Sequence, residues 1–101
     1  MSWHQVAQAD DVPEDEGLCV KIDGHAIALF RVEGEIYAID DLCSHAEASL
    51  AAGFVDGGLI ECPLHQACFD IRTGKVMTGP ATEDVRSYRV KIEGGAVLVE
   101  R

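Results

Sequence analysis

Hydrophobic and polar positions alternate with a period of two along much of the chain, and helical periodicity is scarce. Trp3 to Ala7 predicts a first strand. Asp10 to Gly17, acidic and interrupted by Pro13, predicts a loop. Leu18 to Ile22 predicts a short strand ended by Asp23-Gly24, a strong hairpin-turn signal. His25 to Val32 is a nearly continuous apolar run with the length of a buried strand. Glu33-Gly34 turns the chain again into a third strand, Glu35 to Asp40. From Asp41 to Pro80 the period is lost and Gly53, Gly57, Gly58, Gly74 and Gly79 punctuate a loop-rich stretch. Within it Ala46 to Ala52 predicts one helical turn, and Leu59 to Glu61 and Ala67 to Ile71 predict short strands. Tyr88, Val90 and Ile92 then alternate with Arg89, Lys91 and Glu93, as in a half-buried antiparallel strand. Gly94-Gly95 makes a last hairpin turn before a closing strand, Ala96 to Glu100. The pattern predicts an all-β domain over residues 1–101, with an antiparallel, sandwich-like core and a loop-rich subdomain at about 41–80.

Composition narrows what this domain does. At 101 residues and 48% hydrophobic, the chain supports one modest core and is not disordered. Domains of this size often add a metal or disulfides to hold their loops. No apolar run reaches the length of a membrane span, and Met1-Ser2-Trp3-His4 does not open a signal peptide, so the expected location is the cytoplasm. The net charge of −10, from 8 basic and 18 acidic side chains, excludes nucleic acid as a partner. It suits docking to a basic patch on another protein, and it also suits solubility alone. The acidic run Glu14-Asp15-Glu16 reads as a solvated loop, with docking as its other reading.

The loop-rich stretch carries the chemistry. Cys43-Ser44-His45 and Cys62-Pro63-Leu64-His65 lie in it, with sixteen residues between His45 and Cys62. Each motif offers one thiolate and one imidazole on a tight loop after a predicted strand. Two such loops facing each other supply two sulfur and two nitrogen ligands to one metal site. Zinc accepts that donor set, although zinc modules usually pair Cys with Cys and His with His on each element. Cys68 and Cys19 read as small apolar strand residues, His4 and His25 as surface or capping histidines, and Trp3 as an anchor for the first strand.

With these motifs the sequence resembles the Rieske-type [2Fe–2S] ferredoxins, in particular the ferredoxin components of bacterial aromatic ring-hydroxylating dioxygenase systems. The likeness spans the strand meander, both motif loops and the Gly79-Pro80 turn, which matches the loop covering the cluster from a third side. The resemblance implies a Rieske fold holding one [2Fe–2S] cluster, with Cys43 and Cys62 on one iron and His45 and His65 on the other. It implies an electron carrier, not an enzyme. The carrier would be a monomer that takes electrons from a flavin-containing NAD(P)H-dependent reductase and delivers them to a terminal oxygenase. Two other readings stay open: a small Rieske subunit of a nitrite-reductase-like enzyme, and a zinc-stabilised interaction module. High-potential members of the class add a cysteine to each loop, joined in a disulfide, and hydroxyl groups near the cluster. Ala48 and Leu64, and Ala67 and Phe69, stand at the matching positions here. The resemblance therefore implies a low potential.

Overall fold

The structure, a computed structural model, describes residues 2–43, 48–64, 67–79 and 83–101. Three of its hairpins follow directly from turn chemistry. Asp23-Gly24, Glu33-Gly34 and Gly94-Gly95 each place two successive residues at positive φ, between 51° and 83°. That is the type I′ geometry whose twist matches the flanking strands. It joins β2 (Leu18–Ile22) to β3 (His25–Val32), β3 to β4 (Glu35–Asp40), and β10 (Val90–Glu93) to β11 (Ala96–Glu100).

Among the described residues, eleven strands form three antiparallel sheets. The first has the order β1-β11-β10, with β1 spanning Trp3–Gln8. The second has the order β2-β3-β4-β9, with β9 at Ser87–Tyr88. The third has the order β5-β6-β7-β8, made of Phe54–Asp56, Leu59–Glu61, Cys68–Asp70 and Val76–Thr78. Strands 9 and 10 are nearly continuous, and the chain passes from the second sheet to the first at Arg89.

The second sheet is the middle layer, which explains the apolar run in β3. Alternate side chains of a strand point to opposite faces. Ile27 and Leu29 enter an apolar cluster with Ile36, Ala38, Val97 and Val99, against the first sheet. Ala28, Phe30 and Val32 enter a second cluster with Ile39, Ile60, Phe69 and Ile71, against the third. A strand buried on both faces needs apolar residues at every position, so the period-two signal disappears. The Arg31 side chain leaves this layer and donates to the carbonyls of Val12, at 3.0 Å, and Ala9, at 2.5 Å. It thereby pins a short 3₁₀ turn, Ala9–Asp11, and brings Val12 into the first cluster.

Several expectations change in the folded chain. The stretch from 41 to 80, expected to be loop-rich with two short strands, contains a four-stranded sheet in which β5 and β8 flank the two expected strands. The helical turn expected over Ala46–Ala52 is a 3₁₀ turn at Leu50–Ala52, and residues 44–47 lie outside the described residues. Ile92 is 48% exposed, because β10 is an edge strand whose end projects beyond the core. Cys19 is exposed on β2 rather than buried, since the neighbouring Leu18 and Val20 face the core. No helix among the described residues is long and apolar enough to cross a membrane.

The two-cluster arrangement has a measurable consequence. Phe30 is 1% exposed, and its replacement by Ala is expected to cost about 3–5 kcal/mol of unfolding free energy. Ile92→Ala, at an exposed edge, is expected to cost less than about 1 kcal/mol. Urea unfolding of the two variants checks the contrast, and equal losses would remove the assignment of β3 to a doubly buried layer.

Candidate metal centre

The two motif loops are built the same way. Beyond β4 the ladder continues past the strand: the Leu50 N–H donates to the Asp41 carbonyl at 2.7 Å, Leu42 bridges Ser49, and the Cys43 N–H donates to the Ala48 carbonyl at 3.0 Å. Beyond the β6–β7 pair Glu61–Cys68, the Cys62 N–H donates to the Ala67 carbonyl at 2.7 Å. Each cysteine therefore opens a hairpin tip that an alanine closes five positions later, with the same hydrogen bond. In sequence, one histidine falls inside each tip.

Both cysteines are rooted in a single apolar cluster. Cys43 is 3% exposed and Cys62 fully buried, and they share that cluster with Ala48, Leu50, Ala67, Phe69 and Val85. The donor set fits iron–sulfur chemistry: soft sulfur ligands in surroundings that exclude water. The burial keeps water from both sulfurs and places them in one cluster, so two thiol groups are available on the same side of the third sheet to a metal that two histidines would complete. His45 and His65 lie outside the described residues, as does Pro80 of the Gly79-Pro80 turn, while Gly79 is exposed. Ala48 and Ala67 present only methyl groups, Phe69 is fully buried, and Leu64 is 62% exposed at its hairpin tip.

The third side of this region is set by Gly74. Its φ is +77°, and a Cβ there would fall 2.1 Å from the Val85 carbonyl oxygen, so the backbone of Val85 lies flush against the β7–β8 turn. The Val85 N–H donates to the Gly74 carbonyl at 2.8 Å, and the Asp84 carboxylate accepts the Val76 N–H at 2.9 Å. Val85 and Asp84 thus return beside Cys43. With Leu42, His25 and Asp40 they line a cavity of about 470 Å³.

Two acidic residues at the root of the first loop, Asp40 and Asp41, form a functional pair that the sequence reading does not single out. Asp41 is 6% exposed, and one of its carboxylate oxygens accepts both the Ser49 hydroxyl and the Ala51 N–H, each at 2.9 Å. It cross-ties the outgoing and returning limbs of the loop. Asp40 faces elsewhere. Its carboxylate lies 2.8 Å from His25 Nε2 and accepts the Tyr88 hydroxyl at 2.5 Å. Burial first, and then the hydrogen bond and charge of Asp40, raise the Tyr88 pKa above the ordinary phenol value. His25 is thus a partly exposed strand-end residue that also ties β3, β4 and β9 together. The Asp-Asp pair at a strand end before Cys-x-His is a usable signal, because Asp favours bonding to nearby backbone N–H groups. Cys19, near the Asp41 carboxylate, has a pKa raised by partial burial and by that charge, which suppresses its thiolate.

Comparison with known proteins agrees with this geometry. The sequence profile of a family described as the Rieske [2Fe-2S] domain matches residues 2–89. The ferredoxin component of the naphthalene 1,2-dioxygenase/salicylate 5-hydroxylase systems of Ralstonia sp. is 48% identical over 99 residues, covering 98% of this chain and 95% of that protein. The structure of a Sphingomonas yanoikuyae B1 ferredoxin superposes with a TM-score of 0.94 at 35% identity, covering 99% of both chains. A chain in the complex of reduced oxygenase and oxidized ferredoxin of carbazole 1,9a-dioxygenase gives 0.90 at 35% identity, over 96% of this chain and 91% of that one.

Asp41 supplies the test of how the first loop is held. Asp41→Ala leaves the Ser49 hydroxyl and Ala51 N–H without their acceptor and is expected to cost about 2–3 kcal/mol. Asp41→Asn keeps an acceptor oxygen and is expected to cost less. Urea unfolding, with hydrogen exchange at Leu50 and Ala51, reads both effects; native protection in Asp41→Ala would show that other contacts hold the loop.

Proposed function

The chain belongs to the Rieske [2Fe–2S] domain family, and on that premise we propose that Cys43, His45, Cys62 and His65 ligate its one cluster. Cys43 and Cys62 take one iron, and His45 and His65 the other. The observation that carries this reading is the matched pair of hairpin tips, each opened by a buried cysteine and closed by an alanine. When bound, the cluster supplies reversible one-electron redox chemistry, and neutral imidazoles in place of two thiolates ease the uptake of an electron. The protein's own residues hold and present it. Phe69, Ile60 and Leu50 exclude water behind the cysteines. Asp41 and the Cys N–H bonds fix the loop roots, so little reorganises when charge changes.

The protein is an electron-carrying ferredoxin of the kind found in aromatic dioxygenase systems, not a catalytic subunit. Identity of 48% to a named ferredoxin component, over 98% of this chain, supports this over a nitrite-reductase-like subunit or a zinc module. In our reading it works as a cytoplasmic monomer. It receives electrons from a flavin-containing, NAD(P)H-oxidising reductase and hands them to a terminal oxygenase, which alone binds the aromatic substrate. Leu42, Leu64 and Met77 are 58%, 62% and 52% exposed, and they give the region of the two loops apolar contact surface for a partner. The −10 charge steers the encounter.

The purified protein is expected to contain about two irons and two acid-labile sulfides per chain. His45→Ala or His65→Ala is expected to abolish the Rieske absorption and EPR spectra; stoichiometric zinc without sulfide would refute the cluster assignment. The potential is expected near the lower end of the class range of about −150 to +300 mV. A hydroxyl donating to a cluster sulfur stabilises the added negative charge and raises the potential, and Ala67 and Phe69 provide none. Ala67→Ser, a near-isosteric change at a fully buried site, is expected to raise it in a redox titration. Phe69→Tyr is the companion variant. A high parent value would overturn the subtype, and a low parent unmoved by either hydroxyl would overturn the hydrogen-bond explanation alone.

A further inference from the structure

The acidic run Glu14-Asp15-Glu16 is a sequence feature that the cluster site leaves unused, and the fold brings it beside the cluster-binding sheet. Gly17 permits the approach. A Cβ there would lie 2.6 Å from Phe30 Cε1 and 2.7 Å from Ala51 Cα, so glycine lets the end of the loop rest on the 3₁₀ turn. Gly53 acts the same way on the other flank: its Cβ would fall 2.1 Å from the Glu61 carbonyl oxygen, so the turn packs flush against β6 just before Cys62. The outcome is a groove of about 430 Å³ lined by Asp15, Glu16, Ala51, Ala52, Gly53 and Phe54.

Phe54 breaks the pattern of its sheet. Along β5 it is Val55 that packs into the core, and Val55 pairs with the fully buried Ile60. Phe54 lies on the opposite, outward row, which continues through Glu61, Cys68 and Thr78. Its ring is 64% exposed. A lone exposed apolar residue needs no explanation. Here an aromatic ring stands at a groove of small residues with exposed carboxylates beside it, one residue pair from a cluster ligand.

We propose that this groove is a docking surface for the electron-accepting oxygenase, which would offer an apolar socket to Phe54 and basic side chains to Glu14, Asp15 and Glu16. The proposal rests on the carrier reading above. Charge complementarity excludes a second copy of this chain, which would bring its own −10 charge to an acidic rim, and the oxygenase fits as occupant because a similar ferredoxin is found in complex with its oxygenase. Position agrees, because a partner seated on Phe54 stays beside the Cys62 hairpin. Aromatic anchors carry much of the energy of such interfaces, while rim charges act on the association rate.

The test measures turnover of the terminal oxygenase of the Ralstonia naphthalene 1,2-dioxygenase/salicylate 5-hydroxylase system against the concentration of this ferredoxin, kept reduced. Phe54→Ala is expected to raise the half-saturating concentration about tenfold. The rate at saturation, the visible spectrum and the potential should stay native, and Phe54→Tyr should remain close to the parent. The combined Glu14→Gln, Asp15→Asn and Glu16→Gln variant is expected to flatten the salt dependence of the parent. A native response in Phe54→Ala overturns the proposal. So does a defect confined to reduction by the reductase, or self-association of the parent that Phe54→Ala abolishes in sedimentation. If the unaltered, cluster-loaded protein reduces no oxygenase, the carrier reading fails and this surface fails with it.

Discussion

Ile27 and Leu29 leave one face of β3 while Ala28, Phe30 and Val32 leave the other, and all five are buried. The remaining architecture depends on this double burial. A middle sheet with two apolar faces requires a layer on each side. One layer is closed by β1, β10 and β11, the other by the four short strands of the third sheet, on which Cys62 follows β6. The cluster-binding sheet is therefore part of the protein's main packing rather than an appendage. Phe30 and Ile39 of the middle sheet touch the same apolar cluster as Cys43 and Cys62. Rigidity at the two cysteines is inherited from the core, which is what an electron carrier needs if its surroundings are to reorganise little between oxidation states.

The end of β4 is where core becomes site. Asp40 and Asp41 are neighbours, yet they serve different layers because successive strand residues point to opposite faces. Asp40 ties His25 and Tyr88 together across the middle sheet, and Asp41 ties the two limbs of the first ligand loop. Two adjacent negative charges would repel in an unstructured chain. In the fold each has its own hydrogen-bond donors, so the repulsion is offset and the strand end becomes a stiff platform three residues before Cys43. In the second loop the ladder itself reaches the motif, because Cys62 follows β6 directly and Ala67 precedes β7 directly.

Surface chemistry follows the same division of labour. The acidic excess is spread over exposed loops and strand edges, while the described surface beside the ligand loops carries Leu42, Leu64 and Met77. Long-range charge brings a partner in, and short-range apolar contact lets it sit close. Met77 owes its outward position to a bulge opposite Cys68 and Phe69, where the β7–β8 register slips by one residue.

The sequence by itself determined the local and the chemical parts of this protein. Asp23-Gly24 and Gly94-Gly95 marked hairpin turns because few residue pairs accept two positive φ values, and β2, β3, β4, β6 and β11 fall where the pattern put them. The Cys-x-His and Cys-x-x-His spacings pointed to the family to which the chain belongs, since ligand chemistry restricts residue type more tightly than packing does. Tertiary structure alone decided the rest. Val55 and Val76 are partly buried residues of β5 and β8, packed against the core only because Ile60 and Phe69 pair beside them in the sheet. Asp41 is buried because Ser49 and Ala51 return to meet it, and His25 meets Tyr88 across 63 positions of chain. Phe54 is exposed because the row it occupies faces away from the core. Each of these depends on contacts between residues far apart in the chain, and a hydrophobic pattern records which positions are apolar but not which element will cover them.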